Sequence, residues 1–423
     1  MRTTRARNIW VLAGAVFAIW LSFEAGVLRA QAGEAAQERF KLGVTLYQKH
    51  DLEGAIKEFR EAIQLKSDFA EAHYQLGNVL DDKGDHDQAI SEYQQVVRLK
   101  PEFADVHYDI GLALNRKGDV DGAIAEYREG IRLNPSLAGI HYNLAALLAS
   151  KGNRDEAVKE FRETTRLKPE FAPAYYNLGI ALESKGDLGG AEAELREAIR
   201  LKPDFAEAHF NLGGALYEEG DNEGAIAEWR EAIRLRPDFA EAHYNLGNGL
   251  RHTGSEDAVA EWRAAIRLKP DYAEAHYSLA LALHERGEYD GSIAQYREAI
   301  RLNWHVAEAH FDLGTVLYER GDLDGAITEW CEAIRLRPDF GKQASVAVII
   351  ESKGDLGGIV AKLRDAIRLK PDDATTHYFL GIVLEAKGET QSALAEYCKA
   401  SQLNSGNDQF RAACEQGSKE LKK

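Results

Sequence analysis

The block AHYNLG at Ala242–Gly247 is one of a series, and close relatives of it return every 34 residues down the chain. A fixed period of that length constrains the fold more than any composition figure. Each copy must be one supersecondary unit that buries its apolar face against its neighbours. Units begin at Ala36, Ala70, Ala104, Ala138, Ala172, Ala206, Ala240, Ala273, Ala307, Gly341 and Ala374, and the last closes at Asn407. Unit seven lacks one residue near Ser255, and unit ten lacks one at its junction with unit nine. The repeats leave no room for a separate catalytic domain.

Each unit reads as two helices. In the seventh, Leu246, Gly247 and Leu250 place apolar or small side chains at helical spacing. Most units then set glycine before an acidic residue, as in Gly220-Asp221 and Gly321-Asp322. The glycine ends the first helix in a left-handed conformation and the carboxylate caps the second. The second helix repeats small, aromatic, small, as in Ala225, Trp229 and Ala232, and Arg234, Pro237 and Phe239 lead to the next unit. Small residues on both helices let their axes approach closely.

These residues resemble the tetratricopeptide repeat (TPR): L-G-x-x-[large apolar], then A-x-x-x-[aromatic], then A and a closing P. The match covers Ala36 to Asn407 in register. Departures are local. The family's usual tryptophan at position four is histidine, its tyrosine at position eleven is leucine or Ile350, and the closing proline becomes Ser67, Trp304 and Ser405 in three units. The resemblance implies an all-α fold, a right-handed α-solenoid superhelix of eleven helix-turn-helix units lined by its first helices. Residues 408–423 read as a C-terminal capping helix, with Phe410, Ala413, Cys414 and Leu421 on one side.

Residues 1–32 stand apart. MRTTRARN is a basic start, Ile9 to Phe23 is apolar, and Ala30-Gln31-Ala32 has the small-x-small pattern of a signal peptidase site. The apolar stretch is shorter than the roughly 20 residues of a membrane span. The expectation is a signal peptide, with an uncleaved N-terminal anchor as the alternative. Either puts the body outside the cytoplasm, periplasmic or secreted. Net charge is -17, and the N-terminal arginines make the remainder more acidic still. Such a surface disfavours nucleic acid and anionic lipid and favours basic partners. Cys331 lies too far along the array to reach Cys398. Cys398 and Cys414 can meet if the last helix folds back, but three unbonded thiols are the favoured expectation.

Position four holds His73, His107, His141, His209, His243, His276, His310 and His377. Neighbouring first helices sit about 8–10 Å apart, whereas ligands on one zinc ion are separated by far less. The expectation is packing, with one ring nitrogen bonded locally, and no metal or other cofactor.

The resemblance implies that positions two, five, six, nine, twelve and thirteen face the concave surface. Position five carries Tyr74, Tyr108, Tyr142, Tyr176, Phe210 and Tyr244, and position six carries Asn143, Asn177, Asn211 and Asn245 in succession. An amide donates and accepts at once, so a run of asparagines suits main-chain recognition of an extended peptide. The pattern resembles the groove of the O-GlcNAc transferase TPR arm without its catalytic domain. Inter-unit packing is the plainer account of the aromatics, and helix solvation that of the asparagines. Carboxylates at position two and arginine at position 29 are explained by helix dipoles. The family's carboxylate clamp needs lysine at position five, which is aromatic here. In unit ten Gln343, Ala344 and Ser345 replace the His-Tyr-Asn trio, so the groove is expected to end by unit nine. Arg320-Gly321-Asp322 is an inter-helix turn, and the acidic run Asp81–Asp87 lacks the spacing of a calcium loop.

The expected function is a non-enzymatic interaction scaffold for a protein or peptide ligand. The alternatives are a regulatory or targeting subunit of a transferase-like enzyme complex, or an architectural superhelix that uses its convex face. Oligomeric state is not legible.

Overall fold

A computed structural model describes residues 31–251, 257–337 and 356–420. Among them every regular element is an α-helix. The expected signal segment lies almost wholly outside the described residues. So do the shortened turn of unit seven and the first helix of unit ten, with its junction at Asp339 to Lys342. The chain divides after Ala208 into two compact bodies.

Within each body helix pairs follow one another at the spacing of the repeat. The first body carries, among others, Ala70–Asp82 with His86–Leu99, Ala104–Arg116 with Val120–Leu133, and Ala138–Ser150 with Arg154–Leu167. The second carries Ala240–Arg251 with Asp257–Leu268, Ala273–Glu285 with Tyr289–Arg301, Val306–Glu319 with Leu323–Leu336, and Ala374–Ala386 with Thr390–Leu403. Within each body the described helices pack mainly on their neighbours in sequence, which is the signature of an α-solenoid.

The turns form as their residues require. Gly84, Gly118, Gly220 and Gly321 sit at φ between 85° and 92°, the left-handed region open to glycine. The following aspartate then caps the second helix. Asp119 Oδ1 accepts from the Gly122 amide at 2.9 Å, and Asp322 Oδ1 accepts from the Gly325 amide at 2.9 Å. Arg320-Gly321-Asp322 is therefore an ordinary inter-helix turn.

The helices of a pair cross where a glycine of the first meets a large ring of the second. A Cβ on Gly77 would lie 2.5 Å from the Tyr93 ring, and one on Gly213 would lie 2.5 Å from Trp229 Nε1. Only the missing side chain permits that approach. The alanines around these crossings, among them Ala55, Ala89, Ala225 and Ala232, are fully buried, and Trp229, Trp262 and Trp330 are at most 2% exposed.

Residues Asp408–Glu420 form a final helix on Thr390–Leu403, with Phe410 buried against Tyr378, ring centroids 4.6 Å apart. Cys398 and Cys414 are joined by a disulfide, their Cα atoms 4.7 Å apart. This corrects the expectation of three unbonded thiols: the last helix does fold back, bringing the two sulfurs together. Cys331 is free. It is packed into the core, and burial pushes its thiol up to about 12.

Candidate binding groove

The ten candidate groove residues lie on first helices, and all of them are half-buried. Tyr74, Tyr108, Tyr142, Tyr176 and the amides Asn143 and Asn177 fall in the first body. Phe210, Asn211, Tyr244 and Asn245 fall in the second. Their partial burial has a definite cause. Where an aromatic closes the unit, the ring at position five packs on it, whereas Tyr108, whose unit closes with Leu137, packs on Tyr127. Tyr74 meets Phe103, Tyr142 meets Phe171 and Tyr176 meets Phe205, with ring centroids 4.8–5.4 Å apart. In the second body Phe210 meets Phe239 at 4.7 Å and Tyr244 meets Tyr272 at 4.9 Å.

The hydroxyls reach further, to position six of the following unit. Tyr74 donates to Asp109 Oδ2 at 2.6 Å, and Tyr277 donates to Asp312 Oδ2 at 2.6 Å. Between Tyr142 and Asn177 the direction reverses, and the amide Nδ2 donates to the hydroxyl at 2.8 Å. Asn143 instead hydrogen-bonds the Tyr127 hydroxyl. Part of the amide and hydroxyl capacity of the ladder is thus spent within the protein.

Sequence reasoning places Asp109 and Asp312 at position six beside the asparagines, but not their pairing with tyrosines of the preceding unit. Asp109 is pushed up to about 6 by burial, against the pull of the Tyr74 hydroxyl and the Arg116 charge. Burial also raises Asp312, again against the tyrosine that donates to it. The signal was present as an acid at position six one unit after a tyrosine at position five. The acidic run at Asp81 is also less solvated than it reads, since Asp81 pairs with His86 and Arg116. Carboxylates at position two have partners beyond the helix dipole: Glu71 pairs with Lys100 and Glu308 with Arg337.

A cleft of about 510 Å³ opens in the first body, where the first helices carry small residues at positions nine, twelve and thirteen. Ala146, Ala149 and Ser150 form one wall, Asn177, Ile180 and Ser184 the other, and Arg154 stands at the side. Phe161 and Ala181 add apolar lining, and the Asn177 side chain borders the cleft.

The position-four histidines are bonded within the fold. In each unit Nδ1 faces a side-chain oxygen of the second helix, for example His107 on Glu126 at 2.6 Å and His310 on Glu329 at 2.5 Å. Among the described residues no group of three or more histidine, cysteine, aspartate or glutamate side chains is placed to hold a metal ion. The expectation of a single bonded nitrogen falls short, because in at least five of the described units Nε2 also faces a main-chain carbonyl of the preceding loop.

Comparison with known proteins places this architecture. A family profile described as TPR repeat matches residues 43–81 and 213–249. Another, described as tetratricopeptide repeat, matches 74–138, 142–204, 250–306, 292–339 and 360–408. No curated protein matches. Among solved structures, YrrB, described as a TPR protein with an unusual peptide-binding site, is 24% identical over 43% of this chain and 95% of its own, with a TM-score of 0.40. MamA is 27% identical over 41% of this chain and 96% of its own, with a TM-score of 0.38. A TPR repeat-containing protein of Cytophaga hutchinsonii is 16% identical over 57% of this chain and 99% of its own, with a TM-score of 0.48. With profile matches across most of its length and helix pairs stacked at the matching period, the chain belongs to the tetratricopeptide repeat family.

Proposed function

We propose that this chain is a non-enzymatic interaction scaffold that holds an extended segment of a partner protein along its first helices. The carrying observation is the ladder of half-buried tyrosines and amides. Its rings are fixed by packing and by hydrogen bonds to the next unit, so the polar edges are held in place before a ligand arrives. Asn143, Asn177, Asn211 and Asn245 pair with the main chain of the guest, while Tyr74, Tyr108, Tyr142, Tyr176, Phe210 and Tyr244 supply apolar walls. The cleft beside Asn177 takes one of its side chains. The acidic net charge favours a basic guest. Eleven units from Ala36 to Asn407, closed by a capping helix at 408–423, make up the array, and the groove ends by unit nine.

The chain acts outside the cytoplasm, periplasmic or secreted. The basic and apolar N-terminal segment supports this, and so does the disulfide, a bond that persists in oxidising compartments. Among the described residues no helix is long and apolar enough to cross a membrane.

The test is a display selection of random extended peptides on the full chain, repeated with Asn143, Asn177, Asn211 and Asn245 all changed to alanine. Far-ultraviolet circular dichroism would verify that the variant keeps its helices. Selected peptides should bind the variant at least about tenfold more weakly, since each amide pair with a peptide is worth about 0.5–1.5 kcal/mol. Equal affinity for both would rule the groove out.

A further inference from the structure

The rung built around position four carries more than packing. His141 Nδ1 lies 2.6 Å from Glu160 Oε2 on its own unit's second helix, and its Nε2 lies 3.1 Å from the Pro135 carbonyl oxygen in the loop that closes the preceding unit. The same triangle recurs at His73, His243 and His377. His73 meets Glu92 at 2.6 Å and the Ser67 carbonyl at 3.3 Å, and His243 meets Glu261 at 2.5 Å and the Pro237 carbonyl at 3.2 Å. His377 meets Glu396 at 2.6 Å and the Pro371 carbonyl at 3.0 Å. The His141 and Glu160 side chains are only 6% and 10% exposed, so water does not substitute for these partners.

Neutral imidazole has one donor and one acceptor nitrogen. An ionised carboxylate and a peptide carbonyl are both acceptors. A ring placed between the two satisfies both only when each nitrogen carries a proton. Should the proton sit on the carboxyl oxygen instead, the pair still holds one proton more than a neutral histidine beside a carboxylate.

The chain contains its own contrast. His276 faces Gln295 Oε1 at 2.7 Å and the Pro270 carbonyl at 3.1 Å. A glutamine amide can rotate to present its NH₂, so this rung is satisfied by a neutral ring. It also shows that the fold accepts glutamine opposite the histidine.

We propose that these four rungs are proton-locked clasps, in which a doubly donating histidine ties its own helix pair to the loop of the preceding unit, so that the array tightens on mild acidification and loosens as the solution turns alkaline.

The charged surroundings agree with the geometry. Burial disfavours the His141 cation. The Glu160 hydrogen bond, the Pro135 carbonyl and the Glu160 and Glu163 charges outweigh it, and the pKa lies above the ordinary 6.5. For His243 the Glu261 hydrogen bond leads, helped by the Pro237 carbonyl and the Glu261 charge and opposed by burial and by Arg267, and the net direction is again upward. A folded pKa above the unfolded one means stability present in full below the unfolded value and lost as pH rises through the folded value. The window runs upward from about pH 6.5.

The experiment uses the full chain. Denaturant midpoints are measured between pH 5.5 and 8.5 for the natural protein and for the variant carrying Glu92→Gln, Glu160→Gln, Glu261→Gln and Glu396→Gln. Each proton released makes the unfolding equilibrium constant rise by up to about tenfold per pH unit. The natural protein should therefore lose midpoint steadily across the alkaline half of the range, and the glutamine variant should lose much less. In parallel, carbon-13 labelling of the histidine Cε1 atoms follows each ring's own titration, assigned through the single glutamine substitutions. The rings of His141 and His243 should titrate above the ordinary histidine value, and Glu160→Gln and Glu261→Gln should each bring their ring back toward it. A flat profile in the natural protein, an unchanged slope in the variant, or His141 and His243 rings that titrate at or below the ordinary histidine value would each overturn the proposal. Should the fourfold variant not fold, the ring titrations in the natural protein and in the single variants decide alone.

Discussion

Two adjacent glycines in one helix allow the close-approach argument to be tested with a matched pair. Gly213 and Gly214 both lie in Ala206–Glu219. Alanine in a helix interior is favoured over glycine by about 0.8–1.0 kcal/mol. A Cβ on Gly214 would meet nothing within 4 Å, so Gly214→Ala should collect that gain in full, a stabilisation of about 1 kcal/mol. A Cβ on Gly213 would lie 2.5 Å from Trp229 Nε1, 2.7 Å from its Cδ1 and 3.0 Å from its Cε2. The indole is 2% exposed and donates to the Phe210 carbonyl at 3.1 Å, so it cannot swing away without cost. Overpacking of this kind costs about 1–3 kcal/mol, and a strained hydrogen bond adds about 0.5–1.5 kcal/mol. Gly213→Ala should therefore destabilise by about 1–3 kcal/mol after the helix gain is deducted, leaving the two variants roughly 2–4 kcal/mol apart. Repeat arrays lose two-state behaviour, so urea unfolding by circular dichroism should be joined by hydrogen exchange over residues 206–235. If Gly213→Ala proved as stable as Gly214→Ala, the account of these glycines as spacers would be wrong.

Other outcomes follow from the same geometry. Asp109, pushed up to about 6, lowers stability as pH climbs from about 4 through 6, because the folded state must give up a proton it holds more tightly than the unfolded chain does. Asp109→Asn should match the natural protein near pH 4 and exceed it at pH 7.5 by on the order of 2–3 kcal/mol, read from urea midpoints at both values. Cys414→Ser opens a disulfide that spans 16 residues, worth about 3 kcal/mol by chain entropy. Its effect should be confined to faster hydrogen exchange over 390–420, with the first body unchanged.

The repeat, the helix pairs and their glycine turns were legible because each rests on local chemistry: spacing, a left-handed glycine, a capping aspartate. Tyr74 and Asp109 show where legibility stopped. They stand 35 residues apart, and nothing in either unit alone says that a hydroxyl of one reaches a carboxylate of the next. The second bond of His141 was hidden for the same reason, since the Pro135 carbonyl has no side chain to advertise it. The cysteine pairing turned on whether the last helix folds back, which depends on Phe410 finding Tyr378 rather than on the cysteine spacing. The asparagine run was visible in the sequence. Its engagement with tyrosine hydroxyls was not, since it arises only once units stack.

The local character of the packing also has a consequence for how this molecule comes into being. Within each body the described helices pack mainly on chain a few dozen residues away, so no long loop must close before the first apolar surface is covered. Assembly can start from whichever pair of hairpins meets first and spread in both directions. The hazard of such a path is mistaken identity. Faces with almost the same sequence can dock one period out of step, and the varied side chains at the crossings, Tyr93, Leu195 and Trp229 among them, give each hairpin a shape of its own to be recognised by.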